Sequence, residues 1–298
     1  MKILLLGKNG QLGWELQRTL QPLGCVVSLD YPEFNMADAS SIRKIMREHK
    51  PQVIFNTAAY TAVDDAENET DLAQAINGSG PGVLAEEARQ MDAALVHYST
   101  DYVFDGSKGA PYLETDMPHP LNTYGDSKLA GERAVQSVGG VFLILRTAWI
   151  YSLRCESFVS KVLGWAQKNE TLRVVDDQIS NPTWARALAE ASALILARAG
   201  ADFHPWLDER KGLYHLAGGG YASRFDWAKE ILRLDPDARE QVTKQVIPAV
   251  TVEFPTAAKR PLFSALDCTK FKQAFDISLP AWERSLAMAM QNEQVSLL

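Results

Sequence analysis

Cysteine is scarce in this chain. Cys25, Cys155 and Cys268 stand far apart with no Cys-x-x-Cys pair, so neither a disulfide framework nor a thiolate metal site is expected, and the thiols read as reduced ones of a cytoplasmic protein. An excess of positive charge is missing as well. With 30 basic and 37 acidic side chains the formal net charge is −7, which speaks against nucleic acid and against a membrane surface as partners. An anionic small substrate would then need a local basic patch. Long apolar runs are absent too: the opening Met1–Leu6 meets Gly7 at once, too short for a secretion-signal core or a membrane span. No internal repeat and no clean linker stands out.

What is present fits a compact α/β chain of 298 residues, 46% hydrophobic and 22% charged. Residues 2–6, Lys2 followed by the continuously apolar Ile3-Leu-Leu-Leu6, show the pattern of a parallel strand buried on both faces. Gly7-Lys-Asn-Gly10-Gln11-Leu12-Gly13 follows, and then Leu12, Leu16, Leu20 and Leu23 recur at helical spacing, with Gly24 where a helix C-cap is expected. Residues 25–29 read as a second strand ending at Asp30. A carboxylate about twenty residues after such glycines is where a dinucleotide-binding βαβ unit accepts the adenosine ribose hydroxyls. Further strands are expected at 51–55, 94–98 and 141–145, alternating with helices near 40–49, 70–91 and 124–138. Gly78, Gly80, Pro81 and Gly82 predict a bend or two helices inside the segment 70–91. Arg146, Trp149 and Tyr151 fall beyond the fifth strand. The expected fold is α/β, a Rossmann-type doubly wound parallel sheet with a smaller C-terminal substrate-binding lobe. Residues 1–150 would form the NAD(P)-binding domain, completed by parts of the second half; 151–298 would supply mainly the lobe, interleaved with it.

The chemistry centres on Tyr124-Gly-Asp-Ser-Lys128. Four residues are just over one helical turn, so phenol and ammonium share a face, and the ammonium favours the phenolate. Such a tyrosine can exchange a proton near neutral pH, as a carbonyl reduction needs. Thr100 and Asp101, just past the carboxyl end of the fourth strand, lie where open α/β sheets bind ligands and where Thr100 can meet Tyr124.

Taken together, Gly7-x-x-Gly10-x-x-Gly13, Ser99-Thr-Asp-Tyr and Tyr124-x-x-x-Lys128 resemble the extended short-chain dehydrogenase/reductase superfamily over essentially the whole chain. More narrowly the chain resembles the dTDP-4-dehydrorhamnose reductases, through residues 7–16, 59–64, 99–106, 121–132, 146–151 and Arg260-Pro261. That resemblance implies hydride delivery from NADH or NADPH to C4 of a dTDP-linked keto sugar, the last step of dTDP-L-rhamnose synthesis. Tyr124 would give the proton, Lys128 would lower its pKa and hold the nicotinamide ribose, and Thr100 would hydrogen-bond the carbonyl. It also implies cofactor contacts at Gly7, Gly10, Gln11, Leu12, Gly13, Asp30, Asn35, Met36, Ala59, Tyr60 and Thr61, and substrate contacts at Thr100, Asp101, Trp149 and Arg260, the arginine holding a diphosphate. Dehydratases of the same scaffold place Asp-Glu after the threonine, whereas Asp101-Tyr102 follows here, which favours simple reduction. The intact Thr100, Tyr124 and Lys128 weigh against a non-catalytic relative of the methionine adenosyltransferase regulatory-subunit type. Acidic residues that hold a dimer-bridging magnesium in some members correspond to Glu15, Arg186 and Asn292, so no magnesium is expected there and a homodimer is left open. Leu153-Arg-Cys-Glu-Ser157 departs from the family's glycine-rich loop before Phe158.

Overall fold

The structure, a computed structural model, describes residues 1–291. Six parallel strands form the central sheet: β1 (Lys2–Leu6), β2 (Cys25–Leu29), β3 (Val53–Asn56), β4 (Ala94–Thr100), β5 (Phe142–Thr147) and β6 (Gly212–His215). Their order is β6-β5-β4-β3-β1-β2, so the winding reverses between β1 and β3. At such a reversal the flanking helices diverge to opposite faces and open a crevice beyond the carboxyl ends of the strands.

The period-2 geometry of a strand explains why residues 3–6 are apolar without alternation, after an exposed Lys2. Ile3 and Leu5 point into one layer, with Leu12 and Leu16 of helix α1 (Gln11–Thr19) and with Leu188 and Ile195 of the helix Ala185–Ala199. Leu4 and Leu6 point into the other, with Ile42 and Met46 of the helix Ala39–His49 and Leu84 of the helix Gly80–Gln90. All four strand side chains are fully buried, each contributing about 1.5–3 kcal/mol of transfer free energy. A second core lies in the C-terminal part, where Trp227, Tyr151, Val159, Leu172 and Trp282 pack under a parallel pair, Thr171–Val175 with Gln245–Ala249.

Three local expectations are corrected. Helix α1 ends at Thr19, because Pro22 has no N–H to continue it, and a short 3-10 turn Gln21–Leu23 intervenes. Gly24 therefore follows the 3-10 turn as extended backbone and does not cap α1; a side chain there would stand 2.2 Å from the Met1 carbonyl oxygen. The segment 70–91 does hold two α-helices, Thr70–Ala73 and Gly80–Gln90, but a π-helical stretch, Gln74–Ser79, joins them in place of the expected break, with Pro81 tolerated in the first turn of the second. Arg146 lies inside β5, not beyond it.

Candidate active site

A cavity of about 840 Å³ opens at the winding reversal. Its first wall is the glycine turn. Gly7 has φ +88°, and a Cβ there would meet the Ala58 nitrogen and Thr57 Oγ1 at 2.7 Å. A Cβ on Gly13 would fall 1.9 Å from the Gly7 carbonyl oxygen, so the third glycine lets α1 sit against the turn. Gly10 meets nothing closer than 3.5 Å and leaves its backbone open to the cavity. At the end of β2 the Asp30 carboxylate accepts the Asn9 and Tyr31 N–H groups, both at 2.8 Å. Gln11 faces the same space with its Oε1 buried and unpartnered. An open glycine backbone at a helix N-terminus, an orphaned acceptor and a carboxylate at the next strand end fit a dinucleotide.

Helix Thr123–Val138 forms the opposite wall. Asn122 caps it, its Oδ1 accepting the Gly125 N–H at 2.8 Å while its Nδ2 donates to the Lys259 carbonyl at 2.7 Å. Gly125 is required by contact: a Cβ would lie 2.2 Å from the Tyr102 carbonyl oxygen. Tyr124 and Lys128 both face the cavity and Thr100 reaches it from the end of β4, so the structure brings the three together. Lys128 Nζ donates to the Tyr98 carbonyl oxygen at 2.6 Å. Tyr102 packs edge-on against Tyr124, centroids 5.9 Å apart.

The electrostatics differ from the expectation for Tyr124. Its phenol is pushed above the ordinary tyrosine range, because burial outweighs the lowering by the Thr100 hydroxyl, and the Asp101 and Tyr102 charges raise it further. A phenol raised in this way keeps its proton near neutral pH. Lys128 itself is lowered to about 8 by burial, partly offset by Glu132 one turn further along the helix. Asp101 is raised to about 6 by burial, against hydrogen bonds from Ser264 (2.5 Å), Ser180 (3.0 Å) and Thr100 (3.2 Å). Its carboxylate is thus committed to joining β4 to the C-terminal half.

Of the expected cofactor contacts, Gly7, Gly10, Gln11, Leu12, Gly13, Asp30, Asn35, Met36, Ala59 and Thr61 line the cavity. Tyr60 is absent from the lining: its N–H and carbonyl bind the Asn77 amide, and its hydroxyl donates to Glu69 at 2.9 Å. Among the expected substrate contacts Trp149 lines the cavity in a left-handed backbone conformation, φ +38°. Arg260 is absent from the lining and forms a two-pronged ion pair with Asp64, 2.7 and 2.9 Å. That pair straps the loop before residue 261 to the loop after β3.

Sequence reasoning missed several residues. Asn77 sits in the π-helical stretch, where it also donates to Ser127 Oγ at 3.0 Å and so ties the Tyr60 loop to the Tyr124 helix. The cluster of glycines and Pro81 signalled the irregularity without its meaning. Glu132 and Arg146, both fully buried, form an ion pair at 2.6 Å beneath Lys128, and Glu132 also accepts from Ser99 Oγ at 2.5 Å. Arg224 enters the cavity from a helix 100 positions away from Tyr124 in the chain, and nothing in the local sequence marked it. In the atypical loop before Phe158, the Arg154 guanidinium lies 3.1 Å from the Trp14 ring centroid, with Arg18 3.6 Å from the same centroid. Glu15 and Arg186 are also neighbours, the guanidinium opposing the upward shift that burial imposes on Glu15. Asn292, the third position compared, lies outside the described residues.

A parallel sheet that reverses its winding at a glycine turn, faced by a Tyr-x-x-x-Lys helix with a hydroxyl at the adjoining strand end, defines the class of short-chain dehydrogenases/reductases. Within it, the model of one family, the RmlD substrate binding domain, matches residues 1–295, and the chain belongs to that family. A dTDP-4-dehydrorhamnose reductase of Burkholderia thailandensis is 40% identical over 301 residues, covering 98% of this chain and 99% of the relative. A crystal structure of a dTDP-4-dehydrorhamnose reductase of Clostridium acetobutylicum superposes with TM-score 0.89 at 35% identity, covering 99% of this chain and 100% of its own. The corresponding enzyme of Bacillus anthracis, solved in complex with NADP, gives 0.88 at 32% identity, with 98% and 99% coverage.

Proposed function

We propose that this chain reduces the C4 keto group of dTDP-4-dehydro-L-rhamnose to dTDP-L-rhamnose at the expense of NADH or NADPH, and that it does so in the cytoplasm. The observation that carries the reading is the convergence of Thr100, Tyr124 and Lys128 in one cavity that continues to the glycine turn and Asp30. The first half of the chain serves the cofactor, and the second closes the sheet with β6 and supplies most of the substrate lobe.

When bound, the nicotinamide supplies the hydride. Gly10 would give the cofactor diphosphate close approach to the N-terminus of α1, and Asp30 would hold the adenosine ribose. Thr100 turns its hydroxyl from Asp101 to donate to the substrate carbonyl oxygen, and Tyr124 transfers its phenolic proton to that oxygen as negative charge develops. A phenol that burial keeps protonated is the right species for this step. Lys128, anchored on the Tyr98 carbonyl, stabilises the resulting phenolate until solvent returns the proton. No residue described in the site has to act as the second carboxyl catalyst a dehydration would need.

The test follows oxidation of reduced nicotinamide with enzymatically prepared dTDP-4-dehydro-L-rhamnose and identifies the product by mass and sugar stereochemistry. Substrate-dependent oxidation yielding dTDP-L-rhamnose is expected. Cofactor binding without turnover of this or any related nucleotide-linked keto sugar would overturn the reading and favour a binding role.

A further inference from the structure

The expected holder of the substrate's diphosphate, Arg260, is already occupied by Asp64. Besides Lys128, which is anchored on the Tyr98 carbonyl, the cation that faces the cavity is Arg224, at the first position of the helix Arg224–Arg233. Its guanidinium carbon stands 3.6 Å from the Trp149 ring centroid and 4.7 Å from that of Phe158, so its planar faces are covered by aromatic rings. Stacking of this kind uses the faces of a guanidinium and leaves its edge N–H donors for a ligand. Among the described residues no carboxylate pairs with it, and the nearest acid, Asp101, has its oxygens taken by three hydroxyls. The neighbour of Arg224 is the Tyr102 phenol, which packs against Tyr124 and so puts the charge at the catalytic end of the cavity, away from Asp30. Trp149 holds its left-handed backbone conformation where it meets this arginine, a cost of order 1–3 kcal/mol that tightly built sites tolerate.

We propose that Arg224, a cavity-facing cation with no carboxylate partner among the described residues, binds the substrate's diphosphate, while Arg260 with Asp64 straps the cleft. The assignment rests on the reductase reading for the identity of the substrate, but on the geometry alone for its anionic class. A planar, always-charged fork seated on aromatic rings suits two phosphate oxygens, each charge-assisted hydrogen bond being about twice as strong as a neutral one.

The test measures equilibrium binding of dTDP and of thymidine to the cofactor-loaded protein by calorimetry, for the wild type, Arg224→Met and Arg224→Lys. Methionine keeps an apolar stem against the rings and removes the charge; Arg224→Gln serves in its place should that variant not fold. The expected result is a loss of about tenfold to a hundredfold in dTDP affinity in Arg224→Met, unchanged thymidine affinity, and partial recovery in Arg224→Lys. With the keto sugar the same loss enters KM and leaves kcat within a few-fold. Unchanged dTDP affinity in a folded neutral variant, or equal losses for dTDP and thymidine, would overturn the assignment and make Arg224 a packing residue. A wild type that prefers dTDP through Arg224 yet turns over no keto sugar keeps this inference and removes the reductase reading.

Discussion

Removing the charge of Glu132 tests both the architecture and the chemistry of the site. The Glu132 carboxylate is 1% exposed, receives two hydrogen bonds from Arg146 at 2.6 and 2.8 Å and one from Ser99, and lies one helical turn beyond Lys128. In Glu132→Gln the Arg146 guanidinium stays buried without its counter-charge, which costs about 3–5 kcal/mol. At about 2.1 cal/mol/K per residue the unfolding entropy of 298 residues is about 0.6 kcal/mol/K, so the melting temperature should fall by about 5–8 °C. Replacing the pair together, Glu132→Leu with Arg146→Met, should recover most of that loss, since the desolvation of both charges disappears with their attraction. The chemistry moves with it. Lys128 titrates at about 8 with Glu132 raising it, so kcat/KM, which needs the ammonium, should fall as pH rises through about 8. In Glu132→Gln the ammonium loses that support and feels the uncompensated Arg146, and the alkaline limb should shift to lower pH. Scanning calorimetry and a pH profile of kcat/KM check the two halves. A single variant that loses less than about 1 kcal/mol, or an alkaline limb that stays in place, would refute the coupling between Glu132, Arg146 and Lys128.

Tyr124→Phe should keep the fold and cofactor binding but lower kcat by on the order of a hundredfold or more, because the proton donor is gone; near-normal turnover would remove Tyr124 from the mechanism. Asp30→Asn should raise kcat/KM with NADPH relative to NADH, since a carboxylate repels the extra phosphate; the wild type should use both, and an unchanged ratio would separate Asp30 from cofactor choice. Gly125→Ala places a Cβ 2.2 Å from the Tyr102 carbonyl, so thermal unfolding should show a loss of about 1–3 kcal/mol, and kcat should drop as Tyr124 is displaced; full activity with an unchanged melting temperature would contradict that contact.

The linear order of this chain already contained its class. Continuous apolar strands, a glycine turn after the first of them, an acid after the second and a tyrosine and lysine one turn apart are local patterns, and local patterns are set by backbone geometry that each segment obeys by itself. Thr100, Tyr124, Lys128 and the glycines could therefore be read before any coordinates. Tertiary structure decided what the charges do. Tyr124 keeps its proton because burial outweighs the Thr100 hydrogen bond; Lys128 is lowered by burial; Asp101 is spent on Ser180 and Ser264. Arg260 proved to be engaged by Asp64, 196 positions away, and Arg224 came forward from a helix with no motif. Desolvation and ion pairing depend on which distant segments close over a side chain, and the spacing of residues along the chain carries no record of that.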